Sequence, residues 1–132
     1  MYNNSYNEIF LKGENIFFSV IIPTYNNAQF LKSAVDSVLA QTYKNFELLI
    51  IDNNSTDETS EIISSFDDTR ISEYKINNNG VIAKSRNMGI TLAKGNWICF
   101  LDSDDIWYKS RLEIISQNIL INSNCDVFTT NE

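Results

Sequence analysis

Trp97-Ile-Cys-Phe-Leu-Asp-Ser-Asp-Asp105 opens as a short apolar run and closes on three carboxylates. β-Branched and aromatic residues over so few positions read as a buried strand. Asp102, Asp104 and Asp105, crowded at its end, repel one another and lose solvation, so the arrangement asks for a cation among them. Carboxylate oxygens suit hard divalent ions such as Mg2+ or Mn2+. The plainer reading is a solvated acidic turn that starts the next helix. The rest of the chain has to decide between the two.

Upstream, 81–94 has helical spacing, with Ile82, Gly89 and Ala93 marking close packing and Gly95 in the place that ends a helix. Before it, Ile71-Ser-Glu-Tyr-Lys-Ile76 alternates as a strand with one exposed face near a sheet edge, and Asn77-Asn-Asn-Gly80 breaks the chain. Phe46-Glu-Leu-Leu-Ile-Ile51 is a further strand that ends in a carboxylate, Asp52. Asn53 and Asn54 then turn the chain. Ser55-x-x-Glu58 has the form of a capping box for a helix buried through Ile62, Ile63 and Phe66, its Ser contributing about 1 kcal/mol. Ile16-Phe-Phe-Ser-Val-Ile-Ile22 is apolar almost throughout, as in a strand covered on both faces, and Pro23 is expected to stop it. Thr24-Tyr25-Asn26-Asn27 follows as a loop, with Asn26 or Asn27 placed to cap a helix whose core stripe is Leu31, Ala34, Val35, Val38 and Leu39.

Downstream of the acidic stretch come Trp107 and a fourth helix marked by Leu112, Ile115 and Ile119. Cys125-Asp-Val-Phe-Thr-Thr130 reads as a last strand. Residues 1–15 are polar and Asn-rich apart from Ile9-Phe-Leu11; they read as a loosely held arm, which puts the domain at 16–132.

Strand and helix alternate from start to finish. That is the pattern of a three-layer α/β/α architecture around a mostly parallel sheet. Right-handed crossovers give the strand order 3-2-1-4, with a switch point between strands 1 and 4, where ligands bind outside the carboxyl ends of the strands. The expected crevice is lined by Thr24-Tyr25-Asn26, Asp52 and the segment from Asp102 to Asp105, with Pro23, Ser55 and Ser103 beside them.

Composition narrows what the crevice can do. A chain of 132 residues makes one domain. Its formal charge of −7, from 10 Lys+Arg against 17 Asp+Glu, excludes broad nucleic-acid binding. The same charge opposes a phosphate ligand: two unit charges about 4 Å apart interact by roughly 4 kcal/mol at an effective dielectric of about 20. Neither a G-x-G-x-x-G nor a Walker sequence is present to bind phosphate through backbone alone. A metal is therefore required. With no His, triads built on His are excluded. Cys99 and Cys125 read as buried free thiols, since one pair makes neither a disulfide framework nor a zinc pattern. No run reaches transmembrane length and no basic-then-apolar leader opens the chain, so a cytoplasmic location is expected.

Roles follow from the chemistry. Asp102 and Asp104 would hold a divalent ion that neutralises a diphosphate leaving group. Asp52 would accept hydrogen bonds from a base or ribose, Tyr25 would lie against an aromatic ring, and Arg86 would reach a phosphate or base edge. Each has a plainer alternative: Tyr25 as cover for the core, Arg86 as a solvated helix residue, Asp52 as a turn residue, Ser55 as a cap.

Four segments together are recognisable. Ser19-Val-Ile-Ile-Pro-Thr-Tyr-Asn26, Asp52-Asn-Asn-Ser-Thr-Asp57, Ala83-Lys-Ser-Arg-Asn-Met-Gly89 and Phe100-Leu-Asp-Ser-Asp-Asp105 resemble family 2 glycosyltransferases with the GT-A fold, over about residues 17–120. The resemblance implies inverting transfer of a sugar from a nucleotide-diphosphate donor, usually a UDP-sugar, with Mn2+ or Mg2+. It also implies a saccharide or lipid-linked acceptor and peripheral membrane association of a full-length protein. By position, Thr24, Tyr25 and Asp52 would contact base and ribose, Arg86 would lie by the nucleotide, and Asp104 of the Asp-x-Asp pair would ligate the metal directly. Many relatives have paired aspartates where this chain has Asp52-Asn53, which leaves dTDP- or GDP-sugars open. Relatives place the catalytic base beyond the metal motif; here only Glu113, Asp126 and Glu132 follow as acids, and none matches. The expectation is a donor-binding half that stops before the acceptor-binding half. A non-catalytic nucleotide-sugar-binding module is the alternative. A phosphohydrolase of the Asp-x-Asp nucleophile type fits only superficially, because its nucleophile follows the first strand and it needs a downstream Lys and acidic pair.

Overall fold

The computed structural model describes residues 16–122 and 124–129; the N-terminal arm with its Ile9-Phe-Leu11 patch, and Thr130, lie outside them. Four parallel strands, β1 (Phe18–Thr24), β2 (Phe46–Asp52), β3 (Ile71–Lys75) and β4 (Trp97–Phe100), pair in the order β3-β2-β1-β4. Between and after them run α1 (Ala28–Leu39), α2 (Thr59–Ser64), α3 (Ile82–Leu92) and α4 (Arg111–Ile121). The expected topology and switch point are as observed.

Side chains alternate across the two central strands and so divide the core. Phe18, Val20, Ile22, Leu48 and Ile50 face one way and pack with Leu31, Val35 and Val38 of α1, Ile63 of α2 and Leu112 of α4. Ile21, Leu49 and Ile51 face the other way, against Met88 and Leu92 of α3. Each fully buried Leu or Ile contributes on the order of 1.5–3 kcal/mol. Gly89 sets the height of α3 over the sheet: a Cβ there would lie 2.5 Å from Ile21 Cγ2. The helix sits close because that residue has no side chain.

Several local expectations fail, each for an identifiable reason. Pro23 does not stop β1; it pairs with Ile51 inside the strand. Along β1 the carbonyls of Phe17 and Ile21 turn toward β4 and that of Thr24 toward β2, so Pro23 faces the β4 side. β4 pairing ends at Ile21, and no ladder bond is lost by the missing N–H. β4 is an edge strand rather than a buried one: Ile98 and Phe100 are 38% and 39% exposed. Gly95 does not end α3 through a left-handed turn. A Cβ there would lie 2.6 Å from both Phe17 O and Ser19 N, so it serves close approach to β1. Ile82 is half exposed rather than packed, and Cys125 is exposed. Residues 124–129 form no strand, although Phe128 rests on Trp97 with ring centroids 5.6 Å apart.

The capping box is not made either, because α2 begins later, at Thr59. Ser55 turns back to Asp52 instead. Asn27 occupies the N-cap position of α1, yet its side chain makes no capping bond. One residue does both jobs. Asp57 accepts from the Ala28 N–H at 3.0 Å through Oδ2, and from the Thr59 N–H and hydroxyl at 3.1 and 2.6 Å through Oδ1. These bonds, the Thr59 hydroxyl first among them, hold the Asp57 carboxyl below its ordinary pKa.

Candidate functional site

At the carboxyl ends of the strands lies a cleft of about 300 Å3, walled by the ends of β1 and β4 and the start of α3. Pro23, Thr24, Tyr25, Asn27 and Asn53 form one side, and Gly80, Ile82 and Ser85 another. Asp102, Ser103 and Asp104 close it.

The loops that frame the cleft are laced together by short polar side chains. Asn26 and Asn54, after β1 and β2, and Asn79, after β3, hold left-handed φ values of 46°, 58° and 56°. Asn tolerates that conformation better than most side-chain-bearing residues. Asn26 Oδ1 accepts from the Thr56 N–H at 2.7 Å, and the Asn26 N–H donates to Ser55 Oγ at 2.9 Å. The Asn78 N–H donates to Asn53 Oδ1 at 3.0 Å, and Asn78 Nδ2 donates to Ser85 Oγ at 2.9 Å. Asn27 Nδ2 bridges to Ser103 Oγ at 2.7 Å, across the switch point. The loop after β4 is anchored from below: the Trp107 N–H donates to Ser37 Oγ, and Gln41 holds the Leu112 N–H and the Tyr108 carbonyl.

Within this frame the sequence-derived residues separate into two groups. Pro23, Thr24, Tyr25, Asp102, Ser103 and Asp104 line the cleft. Asn26, Asp52, Ser55 and Arg86 are not among its lining residues. Asp52 is fully buried; its Oδ1 accepts from the Ser55 N–H at 3.1 Å and the Ser55 hydroxyl at 2.5 Å. Its Oδ2 has no partner, nor has the buried Thr24 Oγ1 beside it in register. A carboxylate oxygen buried without a donor is costly, which marks the place as one with capacity to spare. Arg86, its side chain 36% exposed, is paired rather than free. Its Nη2 meets Asp102 Oδ1 at 2.6 Å and its guanidinium carbon lies 5.6 Å from the Phe100 ring centroid.

The three carboxylates do not converge. Among the described residues no group of three or more His, Cys, Asp or Glu is gathered to hold a metal. Asp105 is exposed outside the cleft lining, and the cation beside Asp102 is Arg86. Asn27, Asn53, Gly80, Ile82 and Ser85 were missed as lining residues. The Asn residues carried a usable signal, since they stand at strand ends; Ile82 and Ser85 carried none, because only the docking of α3 brings them there. The Cys99 thiol, pushed up to about 11 by burial, is chemically quiet and sits away from this cleft.

Comparison with known proteins agrees with this geometry. The model of glycosyl transferase family 2 matches residues 19–128. An uncharacterized glycosyltransferase of Rickettsia felis is 52% identical over 97 residues, which are 73% of this chain and 16% of that protein. The UDP-Glc:alpha-D-GlcNAc-diphosphoundecaprenol beta-1,3-glucosyltransferase WfaP of Escherichia coli is 44% identical over 94 residues, 71% of this chain and 38% of that one. The chain thus spans well under half the length of these curated relatives. Among solved structures, S. aureus TarS 1-349 in complex with UDP superposes with a TM-score of 0.78 at 29% identity, covering 82% of this chain and 33% of that chain. TarS 1-349 has also been solved with UDP-GlcNAc. With four strands in the order 3-2-1-4, helices on both faces and a family match over most of its length, the chain belongs to glycosyl transferase family 2 and has the GT-A fold.

Proposed function

We propose that this chain is the donor-binding part of an inverting glycosyltransferase that takes a UDP-sugar together with a divalent ion. The observation that carries the reading is the pair of unsatisfied polar atoms, Thr24 Oγ1 in the cleft lining and Asp52 Oδ2 beside it in register, at a cleft that Asp102 and Asp104 also line. The first pair suits the N–H and O–H donors of a nucleoside. The second suits the far end of the same ligand. Tyr25, 56% exposed on the rim, offers a flat face to the base. Crystal complexes of TarS with UDP and UDP-GlcNAc support the choice of uridine.

Asp102 and Asp104 fit Mn2+ or Mg2+ in kind and number. Mg2+ is ordinarily held by one or two carboxylates, with water and substrate phosphates completing the shell. Two carboxylates in the cleft lining suit that donor set. When bound, the ion neutralises the diphosphate and stabilises it as a leaving group. Asp104, exposed at the cleft, would be the direct ligand, while Asp102 shares its charge with Arg86. Thr24, Tyr25 and Asp52 orient the nucleoside, while Ser55 fixes the Asp52 carboxylate and leaves one oxygen for the ligand.

The acceptor is a saccharide or lipid-linked hydroxyl, a reading supported by the diphosphoundecaprenol acceptor in the name of WfaP. Its general base, a second half of the enzyme, and a cytoplasmic site of action with peripheral contact to a membrane belong to the same proposal. Among the described residues no helix is long and apolar enough to cross a membrane.

Calorimetric titration with UDP and with inorganic diphosphate, each with and without Mn2+, tests the reading. UDP should bind only with Mn2+ present, and tighter than diphosphate. Equal affinity for the two ligands would remove the base and ribose contacts. Binding of a UDP-sugar with neither transfer nor hydrolysis in a full-length enzyme would favour a non-catalytic module.

A further inference from the structure

Arg86 is the most unusual cation of this acidic chain. Asp102 and Asp104 line the cleft, and among the described residues no Lys or Arg does. Arg86 Nη2 meets Asp102 Oδ1 at 2.6 Å. Its position is set by packing rather than by chance contact. Gly89, one turn along α3, fixes the helix hard against Ile21, and Ser85 is held by Asn78. The guanidinium lies near the Phe100 ring, and its Nε is buried with no hydrogen-bond partner. The guanidinium is thus set beside Asp102 in a partly exposed pair, the two side chains 36% and 45% accessible.

We propose that Arg86 is a placeholder cation: paired with Asp102, it neutralises that carboxylate and so disfavours binding of a bare divalent ion ahead of the nucleotide. Two free carboxylates would attract a dication by themselves. With one of them paired to a guanidinium, the net charge that the wall presents falls from two to one, and the ion gains enough only when a diphosphate arrives with it. Arg86 is thus a positioning residue, acting through Asp102. Its consequence is an order of events in which metal and donor enter together. The inference rests on the assignment of Asp102 and Asp104 to the metal, and it extends that assignment to the order in which metal and nucleotide bind.

The test uses Mn2+ alone, followed by loss of the free-ion electron paramagnetic resonance signal, on the wild-type chain, Arg86→Met and Arg86→Lys. Arg86→Met keeps the apolar stem beside Phe100 and removes the charge; it should bind bare Mn2+ about ten-fold tighter or more. Arg86→Lys keeps the charge and should stay near the wild type, which a purely structural role would not require. Arg86→Gln carries the same expectation as the Met variant should the latter fail to fold. Unchanged or weaker bare-Mn2+ affinity in the uncharged variants, with wild-type chain that does bind Mn2+ in the presence of UDP, would overturn the placeholder role alone. If the wild type binds no Mn2+ even with UDP, the metal assignment falls and the inference falls with it.

Discussion

The two ends of the same sheet are built to opposite rules. Near the amino ends of the strands a set of polar side chains pairs closely with neighbouring backbone and with one another. The buried Ser19 hydroxyl donates to Glu47 Oε1 at 2.6 Å and accepts from the Gly95 N–H at 2.8 Å, and the Lys94 N–H donates to the same Glu47 oxygen at 2.6 Å. The Tyr43 hydroxyl and Asn45 Nδ2 share the Ile16 carbonyl, and the Phe17 N–H reaches Asn96 Oδ1. At the carboxyl ends, Thr24 Oγ1, Asp52 Oδ2, Asn78 Oδ1 and Arg86 Nε are buried without partners. Folding stability argues for the first arrangement at both ends, since an unmade buried bond costs about 1–3 kcal/mol. The difference teaches where this domain has been shaped for something other than its own stability.

That contrast can be broken by substitution. Asp104→Ala should have the largest effect, more than about 100-fold on Mn2+-dependent UDP affinity, since even groups one step removed from a metal cost 10–100-fold. Its melting temperature should match the wild type, and calorimetry beside a thermal melt checks both. Asp52→Ala should weaken UDP binding by roughly 1.5–3 kcal/mol, the worth of a hydrogen bond to a charged group. A binding loss no greater for UDP than for inorganic diphosphate would place Asp52 outside the nucleoside contacts. Ser19→Ala reverses the pattern: it should cost about 1–3 kcal/mol in a denaturant titration, with UDP affinity unchanged.

The smallest effect lies away from both ends. Hydrogen bonds from the Arg70 side chain, at 3.0 and 2.7 Å, hold the Asp68 carboxyl down at about 2, against 3.8 when free. A carboxyl whose pKa is lowered by folding stabilises the folded state above its free value. That contribution is lost as pH falls through about 2. The pair is partly exposed, so Asp68→Asn should lower stability at pH 7 by no more than about 1 kcal/mol, and the gap should close by pH 2.

Long periodic features were legible in the sequence, and single side-chain contacts were not. The apolar run from Phe18 to Ile22 and the alternation of strand and helix give the strand order, because right-handed crossovers leave few alternatives. The strand ends were legible for the same reason, and they bring Thr24, Tyr25, Asp102 and Asp104 to one cleft. Pro23 was misread because its harmlessness depends on where β4 stops, a tertiary fact. Ser55 was misread because a capping box and a partner for Asp52 require the same residue at the same place. Arg86 was placed on the right helix, but its contact with Asp102 depends on how α3 docks on the sheet, where Gly89 lies against Ile21.

Asp57 carries a consequence for motion. One carboxylate receives the leading amides of two helices that are 31 positions apart in the chain, Ala28 through one oxygen and Thr59 through the other. Rotation of that carboxylate about its own axis disturbs both amides at once, so the segments that follow β1 and β2 share a single pivot. Replacing Asp57 by Ala should therefore speed hydrogen–deuterium exchange at the Ala28 and Thr59 amides together.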